Sequence, residues 1–428
     1  MKILVLTRAS WSSENNTGNT MNNIFGGFKD VEIHNLYLRT ELPKNNPCKT
    51  IYRISEQQLI KSILKRTNCG GVISNVNCED VGENEDADKE VNVYKKAKKT
   101  KLFFPWFVRE GIWSLGKWKH KEFEQYLKSV SPDVIFMPVF SCWYPCKVLK
   151  YIHKITGAKV VLFHTDDNYT LKQHSWSPLY WLYRFNLRKW IRRIEKISSL
   201  DYAISDIQCN EYSKAFNKDV KILYKGQHFD EMPVVKEPNG VIKMVFTGNI
   251  SSGRYKTLSL IGKAIDNINA DEKKVELDIY TRTPITEKMK KALSADGINL
   301  KGGVGADKIM EIQRNADILV HVESFERKYK LSVRQSFSTK IVDYLYNAKC
   351  VFAVGPKEVA SIDYLIKNDA AMVASSKNDV EQALIQLVEH PNMICEYGKK
   401  AWECGEKRHQ IEVIQDNLYK DFTKLLEE

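Results

Sequence analysis

The chemically loaded segments of this chain each follow a short β-branched run. After Val160–Phe163 come His164, Thr165, Asp166 and Asp167, an imidazole and two carboxylates at what would be a strand's carboxyl end. Such a trio can shuttle protons or orient a hydroxyl; the plain alternative is a turn with Asp caps. After Lys243–Phe246 comes Thr247-Gly248-Asn249-Ile250-Ser251-Ser252-Gly253-Arg254-Tyr255-Lys256. Its glycines free the backbone, and Arg254 and Lys256 can reach a diphosphate. The Gly-Lys-Ser/Thr of a Walker A loop is missing, and the alternative is a βα loop with solvated cations.

After Ile318–Val322 come Glu323-Ser324-Phe325-Glu326 and then Ser336-Phe337-Ser338-Thr339-Lys340-Ile341-Val342-Asp343-Tyr344-Leu345. Ser338 or Thr339 reads as the N-cap of a helix whose free N–H groups and positive dipole end suit a phosphate. Asp343, one turn in, can accept two hydrogen bonds from a ribose diol, or simply complement the dipole. His321 and Glu323 alternate along their strand without a third ligand, so they read as cleft lining rather than as metal ligands. After the first run, Ile3–Leu6, Gly18 and Asn19 lie where a loop turns into a helix. Small polar residues there let backbone N–H groups approach an anion or a sugar, although an ordinary capped loop fits equally and no GxGxxG fingerprint is present.

The elements that must position these groups alternate along the chain. Strand-like runs are Ile3–Leu6, Val134–Met137, Val160–Phe163, Tyr202–Ile204, Val220–Leu223, Lys243–Phe246, Val275–Tyr280, Ile318–Val322, Cys350–Val354 and Ala371–Ala374, with helical patterns such as Leu258–Ile268 and Lys308–Asn315 between them. This alternation, with near-continuous apolar strands, predicts α/β domains with parallel sheets covered on both faces. The pattern pauses in KGQHFDEMPVVKEPNG, rich in Pro and Gly. The expected organisation is an N-terminal Rossmann-like domain over 1–225, a linker over 226–240 and a second Rossmann-like domain over 241–410, with a last helix over 411–428 free to pack back on the first domain. Two such domains facing a cleft bind ligands at the carboxyl ends of their strands.

Composition narrows the class. The chain has 428 residues, 43% of them hydrophobic, enough for real cores. Its longest apolar stretches, such as VIFMPVF, fall short of the ~18–20 residues of a membrane span. The apolar run Ile3–Leu6 is too short for a secretory signal, so a cytoplasmic protein is expected. Sixty-five Lys and Arg against 53 Asp and Glu give a net charge of +12, which favours anionic partners. Nine cysteines without a Cys-x-x-Cys pair predict reduced structural thiols and no zinc ribbon. Residues 79–101, an acidic block followed by a basic one, read as a solvated insertion.

Three segments carry a family resemblance: VFTGNISSGRYKTL, the ADILVHVESFE strand and STKIVDYLYNAKCVFAVGP. The second half resembles the nucleotide-binding domain of family 4 glycosyltransferases of the two-domain GT-B fold, over roughly residues 241–390 and more weakly over 1–225. The resemblance implies a retaining, metal-free transfer of a hexosyl or N-acetylhexosaminyl group from a nucleotide-diphosphate sugar to a hydroxyl acceptor. It places Gly248, Asn249, Arg254, Lys256, Ser338, Thr339, Lys340 and Asp343 at the donor, with Asp343 on the ribose where the family usually has Glu. His164 matches the residue that contacts the donor sugar. Glu326 matches the first member of the family's paired acidic motif, although sixteen residues separate it from Asp343, so RKYKLSVRQSF is an insertion. Asn249 stands where the family carries Arg, and Arg254 is its expected replacement. Catalysis then falls to His164, Glu326 and Arg254, and Gly18, Asn19 and Asp166 form an acceptor-side loop. Preorganised cations at a departing diphosphate can lower the barrier by about 3 kcal/mol each.

WSPLYWLYRFNLRKWIRRIEK, residues 176–196, sets Tyr180, Tyr183, Leu187, Trp190 and Ile194 on one helical stripe. Arg184, Arg188, Lys189, Arg192, Arg193 and Lys196 cover the other faces. A second cluster carries Trp106, Trp113 and Trp118 among further cations. Basic residues beside Trp and Tyr suit an anionic bilayer, so Trp181, Arg184, Arg188, Trp190 and Arg192 are candidate membrane contacts. That would place the protein peripherally on the inner face of the plasma membrane, acting on a lipid-linked acceptor in polysaccharide biosynthesis. An amphipathic helix packed on its own domain is the alternative. Competing functions are a nucleotide-sugar 2-epimerase of the same fold, a non-catalytic anion-binding protein and an inactive partner subunit. No nucleic-acid motif is present, so nucleic acid is not an expected partner.

Overall fold

A computed structural model describes residues 1–73 and 104–428; the charged stretch 79–101 lies outside the described residues. Residues 1–171, 175–223 and 414–428 form one compact unit, and residues 224–413 form the bulk of the other.

The first unit is built on an eight-stranded sheet. Its strands are β1 (Lys2–Thr7), β2 (Glu32–Tyr37), β3 (Thr50–Arg53), β4 (Gly71–Ile73), β5 (Val134–Val139), β6 (Lys159–His164), β7 (Ser198–Ala203) and β8 (Val220–Ile222). They lie in the order β4-β3-β2-β1-β5-β6-β7-β8, and only the β3–β4 pair is antiparallel. Every residue of β5 is buried, as expected of a strand covered on both faces. The covering helices are α1 (Asn16–Phe25), α2 (Glu56–Lys65), α3 (Phe104–Leu115), α4 (Lys121–Val130), α5 (Tyr144–Thr156), α6 (Pro178–Glu195) and α7 (Asp206–Phe216). Their starts follow local chemistry. Ser55 and Gln58 form a reciprocal capping box on α2, and Ser177 and Ser205 cap α6 and α7.

The second unit holds a six-stranded parallel sheet in the order β11-β10-β9-β12-β13-β14. These are β9 (Ile242–Thr247), β10 (Val275–Tyr280), β11 (Ile298–Gly302), β12 (Ile318–Val322), β13 (Cys350–Val354) and β14 (Met372–Ala374). Its helices are α8 (Arg254–Ile268), α9 (Glu287–Ala292), α10 (Ala306–Arg314), α11 (Arg327–Val333), α12 (Lys340–Tyr346), α13 (Ala360–Lys367), α14 (Asp379–Glu389) and α15 (Pro391–His409). Helix α16 (Ile411–Glu427) follows, and from Ile414 the chain belongs to the first unit. There Phe422 is fully buried near Phe25, Phe28 and Phe136, and Asp421 accepts from Tyr202 and pairs with Lys221.

The irregular residues between β8 and β9 are anchored within the second unit. Gln227 N–H donates to the His409 carbonyl and Ile411 N–H to the Gln227 carbonyl. Phe229 packs edge-on against Tyr346 and Trp402. The eight described cysteines are all unpaired.

Candidate functional site: a basic recess at the β9–β12 crossover

In the second sheet β9 has β10 on one side and β12 on the other, so the winding reverses between β9 and β12. Open parallel sheets bind ligands outside the carboxyl ends of the strands at such a reversal. A recess lies at this point, lined by Phe246, Thr247, Asn249, Arg254, His321, Glu323, Ser338, Lys340 and Tyr344 among others.

Two cations meet there. Arg254 opens α8, directly after Gly253, whose φ of 80° places the chain in the left-handed region that glycine tolerates. Its guanidinium makes a bidentate pair with Glu323, Nε to Oε2 3.2 Å and Nη2 to Oε1 3.0 Å. Glu323 is the first residue beyond β12 and is buried. Burial pushes its carboxyl up, and Arg254 pulls it back. Lys340, the first residue of α12, donates to the Thr247 carbonyl at 3.0 Å. Burial lowers its ammonium, and the nearby Arg254 guanidinium lowers it further. Gly248 makes room for Lys340: its φ is 145°, and an added Cβ would collide with the Lys340 Nζ.

His321 is buried in the same lining and is held neutral, its value pushed down to about 3, first by burial and then by Arg254 and Lys340. Its Nε2 has no hydrogen-bond partner among the described residues. Counted by formal charge, Arg254 and Lys340 outweigh Glu323, so the recess is set for an anion. Beneath it Tyr344 and Gln313 both reach the Thr247 hydroxyl, at 3.3 and 3.0 Å.

The structure brings Asn249, Arg254, Ser338 and Lys340 to one recess and sets Gly248 against Lys340. It directs the other expected donor residues elsewhere. Lys256 and Glu326 pair with each other at 2.6 Å on the exposed side of α8, so neither lines the recess. Asp343 is also outside the lining, its carboxylate 2.5 Å from Lys225 Nζ. Thr339 holds the N-cap position of α12 without a side-chain cap, and the helix spans only seven residues. The segment after Glu326 is helix α11, tied down by a Lys330–Glu358 ion pair. Glu323, which the sequence presents as cleft lining, is the partner that orients Arg254. Its signal was its place as the first residue after an apolar strand, opposite a helix that begins with Arg.

In the first unit the expected groups do not converge. His164 ends β6 with its side chain wholly buried, edge-on to Tyr212 at 4.8 Å. Its Nε2 lies 3.0 Å from Glu195 Oε1. Burial holds the imidazole neutral and pushes the Glu195 carboxyl up. This corrects the expectation that His164 faces a donor sugar: alternation along β6 turns it under the sheet. His164, Glu195 and Asp201 are grouped closely enough to hold a metal ion, but the Lys218 ammonium already sits 3.4 Å from Asp201 and 3.8 Å from Glu195. Gly18 lies in the first turn of α1, its N–H donated to the Asn15 cap and its Cα against the Ser12 backbone. That N–H is therefore spent within the loop. Asn19 and Asp166 are exposed.

The basic–aromatic segment forms α6, and three of its arginines grip the loop after β6. Arg184 is buried, with Nη2 2.9 Å from Asp167 Oδ1 and 2.8 Å from the Thr170 carbonyl. Arg188 donates to the Tyr169 carbonyl and lies 4.0 Å from that ring's centroid. Arg192 Nε donates to the Tyr169 hydroxyl at 2.7 Å. These three, taken from sequence as membrane contacts, clamp the loop after β6 instead. Trp181 donates to the Ser175 carbonyl, and Trp190 is half-buried beneath Arg193. Trp113 and Trp118 are buried, and Trp106 packs on Tyr183.

No protein-family model and no curated protein matches the sequence. Solved structures do match over the whole chain. HepE of Anabaena, crystallised with UDP and glucose, is 10% identical, with a TM-score of 0.61 over 99% of this chain and 100% of that one. TarM is 11% identical, with a TM-score of 0.62 over 98% of each chain. The UDP-forming α,α-trehalose-phosphate synthase of Burkholderia vietnamiensis is 10% identical, with a TM-score of 0.59 over 99% and 100%. The chain has the GT-B fold of these proteins, two parallel-sheet α/β domains.

Proposed function

We propose that this protein is a glycosyltransferase that uses a nucleotide-diphosphate sugar, with the diphosphate held in the β9–β12 recess. The observation that carries this reading is the convergence of Arg254 and Lys340 on one recess at a strand-order reversal, with Gly248 clearing the approach. The GT-B fold and the ligands of HepE support it. A leaving diphosphate gathers negative charge as the glycosyl bond breaks. Two cations fixed before the reaction stabilise that charge without reorganisation. Arg254 is preset by Glu323 and Lys340 by the Thr247 carbonyl. Ser338 and Asn249 supply further polar contacts along the lining.

The finer features of the proposal follow the family 4 resemblance: retention at the anomeric carbon, a hexosyl or N-acetylhexosaminyl donor and a hydroxyl acceptor carried on a lipid. Asp343 would reach a ribose only after leaving Lys225. In a retaining transfer with attack on the leaving group's face, a phosphate oxygen takes the acceptor proton, so the buried His164 is not needed as a base.

The test is a thermal-shift panel of UDP-, GDP-, ADP- and dTDP-sugars. A ligand at a hundred times its Kd stabilises the folded chain by about 2.7 kcal/mol. A rise in melting temperature with one nucleotide series, abolished in Arg254→Ala and Lys340→Ala, is the expected result. A panel without any shift would overturn the reading.

A further inference from the structure

The arginine clamp of α6 leaves apolar side chains exposed on the helix's opposite face. Leu182 and Phe185 are each 52% exposed on that face, and Leu179 is 47% exposed. Lys189 and Arg193 continue the same face along the helix. Neither has an acidic partner among the described residues, and Arg193 lies over the Trp190 ring at 4.3 Å.

A second exposed apolar stripe lies on α3. On α3, Phe104, Val108 and Leu115 fall on one side at helical spacing, and all three are exposed. The two helices are held together at two places. Near the start of α3, Trp106 and Phe107 pack on Tyr183. Near its end, the Lys147 ammonium reaches the Ser114 hydroxyl and lies 5.6 Å from the Trp190 centroid. Exposed apolar side chains therefore cover two neighbouring helices, and Lys147, Lys189 and Arg193 stand along their far end.

We propose that this α3–α6 face docks on an anionic lipid bilayer. Isolated exposed apolar side chains need no explanation, but exposed apolar stripes on two packed helices, beside the cations Lys189 and Arg193, mark an interaction surface. The pattern of Trp, Leu and Phe beside Lys and Arg matches the interfacial helix, whose apolar face enters the headgroup boundary while its cations meet acidic lipid. No described helix is long and apolar enough to cross a membrane, so docking is peripheral. The other side of α6 grips Asp167, Tyr169 and Thr170. A bilayer on the outer face would thus sit one helix diameter from the loop that carries the exposed Asp166. The inference does not depend on the nucleotide-sugar reading.

The experiment is vesicle flotation of the full chain at low salt, with phosphatidylcholine alone and with an equal mixture of phosphatidylcholine and phosphatidylglycerol. The protein should float with the mixed vesicles, far less with phosphatidylcholine, and lose binding as salt rises. Leu182→Glu with Phe185→Glu should cut the bound fraction more than about tenfold, while its melting temperature stays near that of the parent. Lys189→Glu with Arg193→Glu should abolish the preference for anionic lipid. Absence of flotation with mixed vesicles at low salt would overturn the proposal, as would flotation indifferent to both double variants. Light scattering that found a dimer dissolved by Leu182→Glu with Phe185→Glu would overturn it too, assigning the face to a second copy of the chain.

Discussion

Arg254 and Glu323 face each other across the β9–β12 reversal as a two-bond fork, 3.0 and 3.2 Å, with the carboxylate buried and the guanidinium partly open. The pair gives the recess a cation that is oriented before any ligand arrives. It also ties the stability of the second unit to the site.

Removing one partner should separate these two roles. Arg254→Ala leaves Glu323 buried without its cation, a change that costs about 3 kcal/mol in such pairs. The double variant Arg254→Ala with Glu323→Gln should recover most of that stability yet remain silent to nucleotide-sugars. Urea midpoints and thermal shifts measure the two effects. A double variant that still responds to nucleotide-sugars would remove Arg254 from the site.

Gly248→Ala tests the approach to Lys340. The added methyl both meets the ammonium and occupies a backbone conformation with φ of 145°. The ligand-induced shift should be lost. Coupling should be strong as well: Gly248→Ala should add little to Lys340→Ala in ligand binding. Additive losses in isothermal titration would mean that the glycine serves something other than the lysine.

Arg254 and Lys340, holding the diphosphate as proposed, would let turnover survive chelation. Sugar transfer measured after exhaustive EDTA treatment should stay within about twofold of the untreated rate. A loss of a hundredfold or more, restored by Mg2+ or Mn2+, would show that Arg254 and Lys340 do not carry the leaving-group charge alone.

A pH prediction comes from His409. Its Nδ1 donates to the Lys225 carbonyl at 2.9 Å, and its Nε2 accepts from the Tyr364 hydroxyl at 2.9 Å. Burial, the larger cause, pushes it down to about 4. The unfolded chain therefore takes up a proton that the folded chain refuses between about pH 6.5 and 4. The advantage of the parent over His409→Gln should be full above that window and shrink as pH falls through it. The total change is on the order of 3 kcal/mol at most. An advantage that is constant with pH, read from urea midpoints, would mean that the imidazole titrates normally.

The central strands were legible because apolar β-branched runs have few other uses. Val275–Tyr280, Ile318–Val322 and Cys350–Val354 lie where their composition places them. Four strands escaped. Glu32–Tyr37 carries His34 and Asn35 inside, and their hydrogen bonds to Thr50, Thr7 and the Val5 carbonyl exist only after folding. Thr50–Arg53, Gly71–Ile73 and Ile298–Gly302 lie at or beside sheet edges and are short or polar. The cations of the recess were legible as types at loop positions. Their partners were not, because Glu323 and the Thr247 carbonyl come from other strands. The same reason misplaced Arg184, Arg188 and Arg192. Helical periodicity assigns a side chain to a face, but the loop waiting there is set by tertiary structure.

The last helix has a consequence for how the protein is made. Phe422 completes an aromatic cluster with Phe25, Phe28 and Phe136, side chains that leave the ribosome hundreds of residues earlier. The amino-terminal half must wait through synthesis of the whole second unit before its final wedge arrives. A fragment stopped at the first crossover should therefore expose a greasy seam and depend on chaperones, whereas the same fragment supplied with residues 411–428 in trans should close.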